Sequence, residues 1–441
     1  MLAVPIREDT VSDNRQPFGS PRRAARGGSL DNVGIARHGR LRRSRATVSL
    51  VKGVAIAAAV VLVSGVSVGA IALKQIKDDL GPGVALQGEQ TVKAAPGGGL
   101  AAYKGGFNVL IVGTDNDAKQ GDAYGVRDAT LNDVNILLHV SADHSNATAV
   151  SIPRDLVVPI PSCPKVDGSG STSAMTAQPI NTAYEDGGLN CVAQTVSSLT
   201  GLDIPFAGLI SFNGVIEMTN AIGGVPVCVN KPVHDNYTGL NLPAGSSTLQ
   251  GSEALAFLRS RHGIGDGSDL GRISSQQVYL SSMLRTIKSG GVLGNPAKLY
   301  GLARAAASNM TLSNSLNDIN TMVSVGLALK NLPLNNVNFV QYPGSTAGTG
   351  IYSGKVQPDL VTAGKLFGAI KSDQPFTIPS GSTGIGSEDQ PGASDPATSS
   401  PAAPSASPTA PSPSGKSTQT QIDGLTGQTA ADKTCSVAYK F

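Results

Sequence analysis

An uncharged run of apolar residues constrains this chain more than any other feature of its sequence. Residues 53–73 read GVAIAAAVVLVSGVSVGAIAL, and a helix of that length covers the roughly 30 Å apolar core of a bilayer. A cleaved signal peptide is the competing interpretation, but the run is long, starts late and is followed by a poor cleavage site at Lys74. Arginines are concentrated before the run, which by the positive-inside rule predicts a single-pass protein of the cell membrane with a cytoplasmic N-terminus and an extracellular body.

Composition divides the rest of the chain. Residues 1–52 are basic and lack hydrophobic periodicity, which predicts a disordered cytoplasmic tail. Residues 74–104 contain three consecutive glycines and predict an extracellular stalk. Residues 105–372 predict a globular domain, and the Pro/Ser/Thr-rich residues 373–441 a disordered tail. Because the chain has no tryptophan and 4% aromatic residues, the core of the domain must rely on Val, Ile, Leu and Ala.

Apolar runs and amphipathic stretches alternate along the globular part. Strands are predicted at residues 107–112, 134–140, 147–152, 207–212 and 225–229, and helices at 182–199, 213–222, 299–310 and 319–329. The alternation predicts an α/β fold, a three-layer α/β/α sandwich around a mixed central sheet. Charged side chains recur at strand ends, namely Asp115, Asp133, Arg154 and Asp155. In open α/β sheets, ligands are usually held there.

Three arginines and a glutamine within the stretch LRSRHGIGDGSDLGRISSQQ predict an anion site. If the chain is extended after a helix at residues 251–258, Arg259 and Arg261 leave the same face of a strand. Arg272 and Gln276 lie four apart in a second helical run and are therefore neighbours on its surface. The alternative, a set of surface arginines on a solvated face, stays open at this point.

The link between these two helical runs is rich in glycine and ends in Ser268 or Asp269. Either residue is suited to cap the second helix. The helix would then direct its positive end towards the arginine pair, which favours an anion there.

All four cysteines lie on the predicted extracellular side, where two disulfides can form. Of the three possible pairings, we expect Cys163 with Cys191, which flank a Gly/Ser-rich loop, and then Cys228 with Cys435. Free buried thiols remain the alternative, especially for the second pair. No Cys-x-x-Cys or histidine-rich spacing suggests zinc.

Several motifs in register resemble the LytR-CpsA-Psr family of cell-envelope proteins, in an actinobacterial form. They lie between residues 105 and 329 and read FNVLIVGTD, NDVNILLHV, AVSIPRD, INTAYEDGG, NAIGGVPV, LQGSEALAFLRSRH and GDGSDLGRISSQQ. The resemblance implies a magnesium-dependent enzyme that transfers a glycopolymer phosphate from a polyprenyl-pyrophosphate carrier to a peptidoglycan sugar hydroxyl. The carrier's lipid tail would lie in an apolar groove and its pyrophosphate among arginines beside Mg²⁺, and residues 105–372 would be the catalytic domain.

The same resemblance implies roles for individual residues. Mg²⁺ would be held by Asp115 and Asp133, and the pyrophosphate by Arg154, Arg259, Arg261, Arg272, Gln276 and, from a longer loop, Arg127. Catalysis would depend on Arg154, Asp155, Arg259 and Arg261. A salt bridge to Arg154 is an equally good interpretation of Asp155.

The chain departs from the family pattern at three positions. Leu131 and Asp117 stand where many members have arginine, and Pro179 stands where many have lysine. The loss of positive charge keeps a non-catalytic scaffold that binds wall lipids open as an alternative. A polyprenyl-pyrophosphate hydrolase is a second alternative, because the same metal and arginines would serve both reactions. A transcriptional regulator is disfavoured, and no nucleic-acid partner is expected, because the basic N-terminal segment lacks a helix-turn-helix pattern.

Overall fold

The computed structural model describes residues 51–56, 81–89, 101–116, 130–391 and 419–439. The chain divides into two compact units, Met1–Ser67 and Val68–Phe441. In the first, residues 51–56 are helical, while the rest of the predicted basic tail and most of the predicted transmembrane helix at 53–73 lie outside the described residues. Within the described ranges, no helix combines the length and apolarity needed to cross a membrane.

The second unit contains strands and helices in alternation. The strands are β1 Phe107–Thr114, β2 Asn132–Val140, β3 Ala147–Ile152, β4 Val157–Ile160, β5 Met175–Pro179, β6 Phe206–Ile210, β7 Val225–Val229, β8 Val233–Asp235, β9 Leu240–Leu242, β10 Gly245–Leu249, β11 Met310–Leu312, β12 Val337–Gln341, β13 Gly344–Ser345, β14 Gln357–Pro358, β15 Phe376–Thr377, β16 Ser387–Asp389, β17 Thr420–Gln421, β18 Gly427–Thr429 and β19 Thr434–Ser436. The α-helices are α1 Ala183–Thr200, α2 Phe212–Ile222, α3 Gly251–Arg259, α4 Asp269–Ser289, α5 Pro296–Asn309, α6 Ile319–Ala328 and α7 Leu360–Lys371. Short 3-10 helices span Ile180–Thr182, Leu334–Asn336 and Gly350–Tyr352.

The main sheet of the described chain is mixed, as predicted. Its strand order is β11-β6-β1-β2-β3-β12-β18. Strand β1 runs parallel to β6 and antiparallel to β2, which is antiparallel to β3. The carboxyl ends of β1, β3 and β6 therefore meet the amino end of β2 at one edge of the sheet. Thr114 at the end of β1 is paired with Asn132 at the start of β2.

Apolar side chains cover both faces of this sheet. On one face, Leu110 of β1 belongs to a buried cluster with Val192 of α1 and Leu366 of α7. On the other, Val109 belongs to a second cluster that Leu280 of α4 joins, together with side chains of α6. Because successive residues of a strand point to opposite faces, β1 is buried on both sides. The predicted three-layer arrangement is confirmed.

Both expected disulfides are present, and all four cysteines lie in the described part of the chain. Cys163 is bonded to Cys191, 28 residues away. Cys228 is bonded to Cys435, 207 residues away. The first bond ties the β4–β5 region to α1, and the second ties β19 to β7.

The predicted disordered tail from residue 373 onward is wrong for the parts that are described. Strand β18 pairs with β12 at the edge of the main sheet, and β19 pairs with β7 and β16. These strands are only three residues long, too short to be recognised beside the Pro/Ser/Thr-rich stretch. Residues 392–418 of the predicted tail lie outside the described residues.

The predicted stalk also differs from the structure where it is described. Residues 81–89 pack on the globular body, since the N–H of Val84 donates to the carbonyl oxygen of Leu312 at 2.9 Å. Leu86 is 6% exposed and belongs to the core. Hydrogen bonds and one buried apolar side chain hold this segment, and neither gives a periodicity that the sequence could show.

Candidate functional site

A cavity of about 380 Å³ opens at the sheet edge where β1, β2, β3 and β6 meet. One set of lining side chains is charged or strongly polar: Asp115, Asp133, Arg154, Arg259, Arg261, Arg272 and Gln276. Another set is apolar: Ile111, Val134, Ile136, Ile210, Phe212, Val215, Met218, Ile222, Leu255, Leu258, Leu280, Met283 and Met310. The cavity therefore joins a cluster of four arginines and two carboxylates to an extended apolar wall.

The strand ends supply three of the charged groups. Asp115 directly follows β1 and is 6% exposed, while Asp133 lies at the start of β2. Arg154 follows β3, and its Nη1 donates to Oδ1 of Asp133 at 2.7 Å. Of the four charged residues predicted at strand ends, these three line one cavity.

Arg259 and Arg261 also line the cavity, but they do not lie on a strand as expected. Helix α3 continues through Arg259 and ends at Ser260, whose backbone is extended, and a turn follows. The guanidinium carbon of Arg259 lies 4.2 Å from the ring centroid of Phe212, a cation–π contact. A helix end followed by a turn brings two arginines to one site as effectively as a strand face.

Helix α4 contributes Arg272 and Gln276, as predicted from their spacing. Ser268 is its N-cap and accepts a hydrogen bond from the N–H of Gly271. Nη2 of Arg272 donates to the backbone oxygen of Asp133 at 2.9 Å. Nε2 of Gln276 donates to the carbonyl oxygen of Leu258 at 3.0 Å. These bonds connect α4 to both β2 and α3.

Asp269 holds the arginines in place, a role that the sequence did not suggest. Its Oδ1 accepts from Nη2 of Arg261 at 2.8 Å and lies 2.6 Å from Nη2 of Arg272. Its Oδ2 accepts from the backbone N–H of Arg154 at 3.2 Å. The sequence offered Asp269 only as a possible helix cap, because the chain gives no sign that Arg154, 115 residues away, meets the same carboxylate as Arg261 and Arg272.

The local charges perturb two of the arginines in opposite directions. Burial alone would lower the pKa of Arg154, but the carboxylate of Asp133 and those of Asp155 and Asp269 raise it above its ordinary value. Burial, followed by repulsion from the neighbouring Arg272, lowers the pKa of Arg261. Arg261 therefore lies where additional negative charge would be stabilised.

Several residues singled out from the sequence lie elsewhere. Asp155 is not among the cavity-lining residues and pairs with Arg154 at 3.7 Å and Lys355 at 3.6 Å, which favours the salt-bridge interpretation. Leu131 and Pro179 do not line the cavity either. Arg127 and Asp117 lie outside the described residues.

A divalent cation fits the carboxylates at this site. Within the described ranges, no group of three or more His, Cys, Asp and Glu side chains could hold a metal. Mg²⁺ does not require one, because it commonly binds through one or two carboxylates and takes its other ligands from water and phosphate. Asp115 and Asp133 line the same cavity and provide this donor set beside the arginines.

Comparison with known proteins relates the chain to bacterial cell-wall proteins. The chain is 32% identical to the cell wall biosynthesis protein LcpA of Corynebacterium glutamicum, over 58% of this chain and 53% of LcpA. It is 28% identical to TagT of Bacillus subtilis, a polyisoprenyl-teichoic acid–peptidoglycan teichoic acid transferase, over 58% of this chain and 73% of TagT. The chain thus spans about half the length of LcpA.

A solved structure of B. subtilis TagV superposes on 61% of this chain and 97% of its own, with a TM-score of 0.48 and 21% identity. The family model of the LytR_cpsA_psr family matches residues 71–363. The matched range includes β1, β2, β3, α3 and α4, and with them every charged residue of the cavity. The chain belongs to the LytR-CpsA-Psr family.

Proposed function

We propose that this protein transfers a glycopolymer phosphate from a polyprenyl-pyrophosphate carrier to a sugar hydroxyl of peptidoglycan. The observation that carries the proposal is the cavity, which combines an arginine cluster with a long apolar wall. A polyprenyl pyrophosphate has the same two parts, a diphosphate and an apolar chain. The name of TagT describes a transferase with a polyisoprenyl-linked donor and a peptidoglycan acceptor, which supports the same conclusion.

The apolar wall is suited to the lipid. It is formed mainly by side chains of α2, α3 and α4 and by strand residues such as Ile111 and Ile136. Burial contributes about 0.8 kcal/mol per CH₂ group, so even a short part of a polyprenyl chain would bind with useful affinity. A polyprenyl chain has no polar groups that need a hydrogen-bond partner, which agrees with the apolar composition of the wall.

The arginine cluster is suited to the diphosphate. A guanidinium group donates two parallel hydrogen bonds to phosphate oxygens, and the cavity offers four such groups. Among the described residues, the buried Nε atoms of Arg154 and Arg272 have no hydrogen-bond acceptor. Buried donors without acceptors cost free energy, which an anionic ligand that reorganises the cluster would recover.

Asp115 and Asp133 would hold Mg²⁺, which when bound would supply positive charge to the phosphate oxygens. In the reaction, the acceptor hydroxyl forms a bond to the phosphorus next to the sugar, and the bond from that phosphorus to the bridging oxygen breaks. Polyprenyl phosphate leaves with the bonding electrons, and the hydroxyl proton passes to solvent. The arginines stabilise negative charge that develops on the phosphate oxygens, the main catalytic contribution in phosphoryl transfer.

The proposal includes the location of the reaction. We propose a membrane-anchored protein with residues 53–73 as its membrane span and the catalytic body outside the cytoplasm. The two disulfides support an oxidising compartment. Since the energy for transfer is already in the pyrophosphate bond, no nucleotide is needed there.

The test uses the full-length protein in detergent micelles with a polyprenyl-pyrophosphate glycopolymer, Mg²⁺ and peptidoglycan fragments. We expect polyprenyl phosphate to be released, polymer to appear on the peptidoglycan, and both to stop when the metal is chelated. Arg259→Ala should lower the rate about 100-fold or more, as loss of a charge-stabilising donor does in other enzymes. Arg304→Ala, an exposed helical arginine outside the cavity, is the matched control.

The alternative functions give different results in the same assay. Release of polyprenyl phosphate without transfer to peptidoglycan would indicate a hydrolase. Lipid binding that Arg259→Ala weakens, without release under any condition, would indicate a scaffold and would contradict the proposal.

A further inference from the structure

A short hairpin lies directly beside Ser260 and Arg261, where helix α3 ends. It consists of β8 and β9, and its tip contains Tyr237. Buried Asp235 ties the hairpin to these residues, because its Oδ2 accepts from Oγ of Ser260 at 2.7 Å and from the N–H of Arg261 at 3.2 Å. Its Oδ1 accepts from the N–H of Tyr237 at 2.9 Å. One carboxylate thus fixes the hairpin tip relative to the backbone of a cavity-lining arginine.

The tip carries an exposed aromatic ring that is supported by a neighbouring ring. Tyr237 is 79% exposed. Among the residues that the structure describes, it is the one aromatic side chain in the group of strongly exposed large hydrophobic residues. Its ring centroid lies 4.2 Å from that of His262, with 34° between the ring planes. His262 is itself exposed and follows Arg261 in the chain. The Tyr237 ring is therefore supported by His262 and still largely open to solvent.

We propose that Tyr237 and His262 form a stacking platform for a sugar ring next to the phosphate held at Arg261. The inference rests on the proposed function, because that function brings sugars to both sides of the reacting phosphorus. The apolar C–H face of a pyranose packs on an aromatic ring, while its hydroxyls remain available for hydrogen bonds. The same hairpin exposes His234, Asn236 and Asn241, which supply such partners.

The hairpin anchoring makes the platform effective. Burial alone would raise the pKa of Asp235, but hydrogen bonds from Ser260 and from backbone N–H groups outweigh it and lower the pKa. Asp235 therefore stays ionised and holds the tip in place at neutral pH. A ring that is already fixed loses less conformational entropy when a sugar binds.

The sugar could come from the glycopolymer of the donor or from the peptidoglycan acceptor, and direct binding distinguishes the two. The chain contains no tryptophan, so Tyr237→Trp in the full-length protein places a single indole on the platform and keeps a stacking ring. Its emission is followed during titration with soluble peptidoglycan fragments, and separately with glycopolymer freed of its lipid. The matched control is Ile351→Trp, which places the indole at another strongly exposed position.

We expect a saturable change in emission for Tyr237→Trp with at least one of the two sugars and none for Ile351→Trp. The responding sugar identifies whether the platform serves the donor or the acceptor. No response to either sugar, or an equal response from the control, would overturn the proposal. The measurement does not depend on turnover, so a binding response in a protein that transfers nothing would refute the proposed function alone.

A kinetic comparison tests the same platform without the fluorophore. Tyr237→Ala should raise the KM for the sugar-bearing substrate roughly three- to tenfold, the range expected for loss of one aromatic stacking contact. The fall in kcat/KM should come from KM, with kcat little changed. Tyr237→Phe should restore KM because it restores the ring. A fall in kcat with wild-type KM values for both sugar-bearing substrates, or a KM that Tyr237→Phe does not restore, would indicate a structural role and overturn the proposal.

Discussion

Asp269→Asn is the substitution that most directly tests how the arginine cluster is held together. Asparagine keeps the size of the side chain and removes its charge. In the wild-type protein, Asp269 contacts Arg261 at 2.8 Å and Arg272 at 2.6 Å. The variant would leave the buried guanidinium group of Arg272 and the partly buried one of Arg261 without a carboxylate between them.

The magnitude follows from the burial of the three side chains. Removing one partner of a buried ion pair costs about 3–5 kcal/mol. The side chains of Asp269 and Arg272 are 6% and 9% exposed, whereas that of Arg261 is 25% exposed and partly screened by water. We therefore expect the lower end, about 3 kcal/mol, which corresponds to a fall in Tm of about 5 °C in a folded unit of roughly 300 residues.

The assay is thermal unfolding with and without inorganic pyrophosphate. A ligand that binds the folded state raises its stability according to its affinity. Because pyrophosphate would supply the negative charge that Asp269→Asn lacks, it should raise the Tm of the variant by more than that of the wild type. Asp359→Asn is the control, since Asp359 is an exposed helix cap and asparagine caps helices equally well. A fall in Tm no larger than the control's, or equal stabilisation by pyrophosphate in both proteins, would refute the reasoning.

Two further predictions concern the body of the domain. Burial lowers the pKa of His139 from 6.5 despite its contact with Asp373. The unfolded chain therefore takes up a proton first as pH falls, and the free energy of unfolding should decrease as pH drops through about 6.5. Chemical denaturation at pH 7.5 and 5.5 should show a smaller pH dependence of stability in His139→Gln than in the wild type, and an unchanged dependence would contradict this. A Cβ at Gly386 would lie 1.9 Å from the carbonyl oxygen of Gly271 near the start of α4, so Gly386→Ala should destabilise by about 1–3 kcal/mol. A Cβ added at Gly364, in helix α7, would have no neighbouring atom within 4 Å, so Gly364→Ala should instead be neutral or stabilising. Equal unfolding midpoints for the two variants would argue against the close contact at Gly386.

The central strands were predictable because their apolar runs are buried on both faces. Strands β3 and β7 have the predicted bounds, and β1 and β2 each differ from prediction by two residues at one end. The polar residues of the site were predictable for a related reason, since those that follow buried strands must lie at a sheet edge. Arg259 shows the limit of this reasoning. The sequence pattern does not show whether the helix ends before Arg259 or continues through it, so the conformation of Arg259 could not be predicted.

Asp269 and the Tyr237–His262 pair could not be predicted in the same way. Each depends on contacts between segments that only the tertiary fold brings together, such as Arg154 and Asp269, which are 115 residues apart. No periodicity within a window of ordinary length contains this information. The sequence predicted which groups would bind an anion, but the residues that fix those groups became visible only in the structure.

The C-terminal residues support the helix that carries Arg272, although their composition predicted a disordered tail. Oγ of Ser436 lies 2.8 Å from Oγ of Ser275 on α4, and Nε2 of Gln428 donates to Oγ of Ser281 at 2.7 Å. The disulfide at Cys435 holds this segment to β7. The folded unit therefore extends beyond the predicted boundary at residue 372 and includes residues 419–439. It follows that a fragment ending at 372 would retain every motif of the family and still lack part of the structure that positions the arginine cluster.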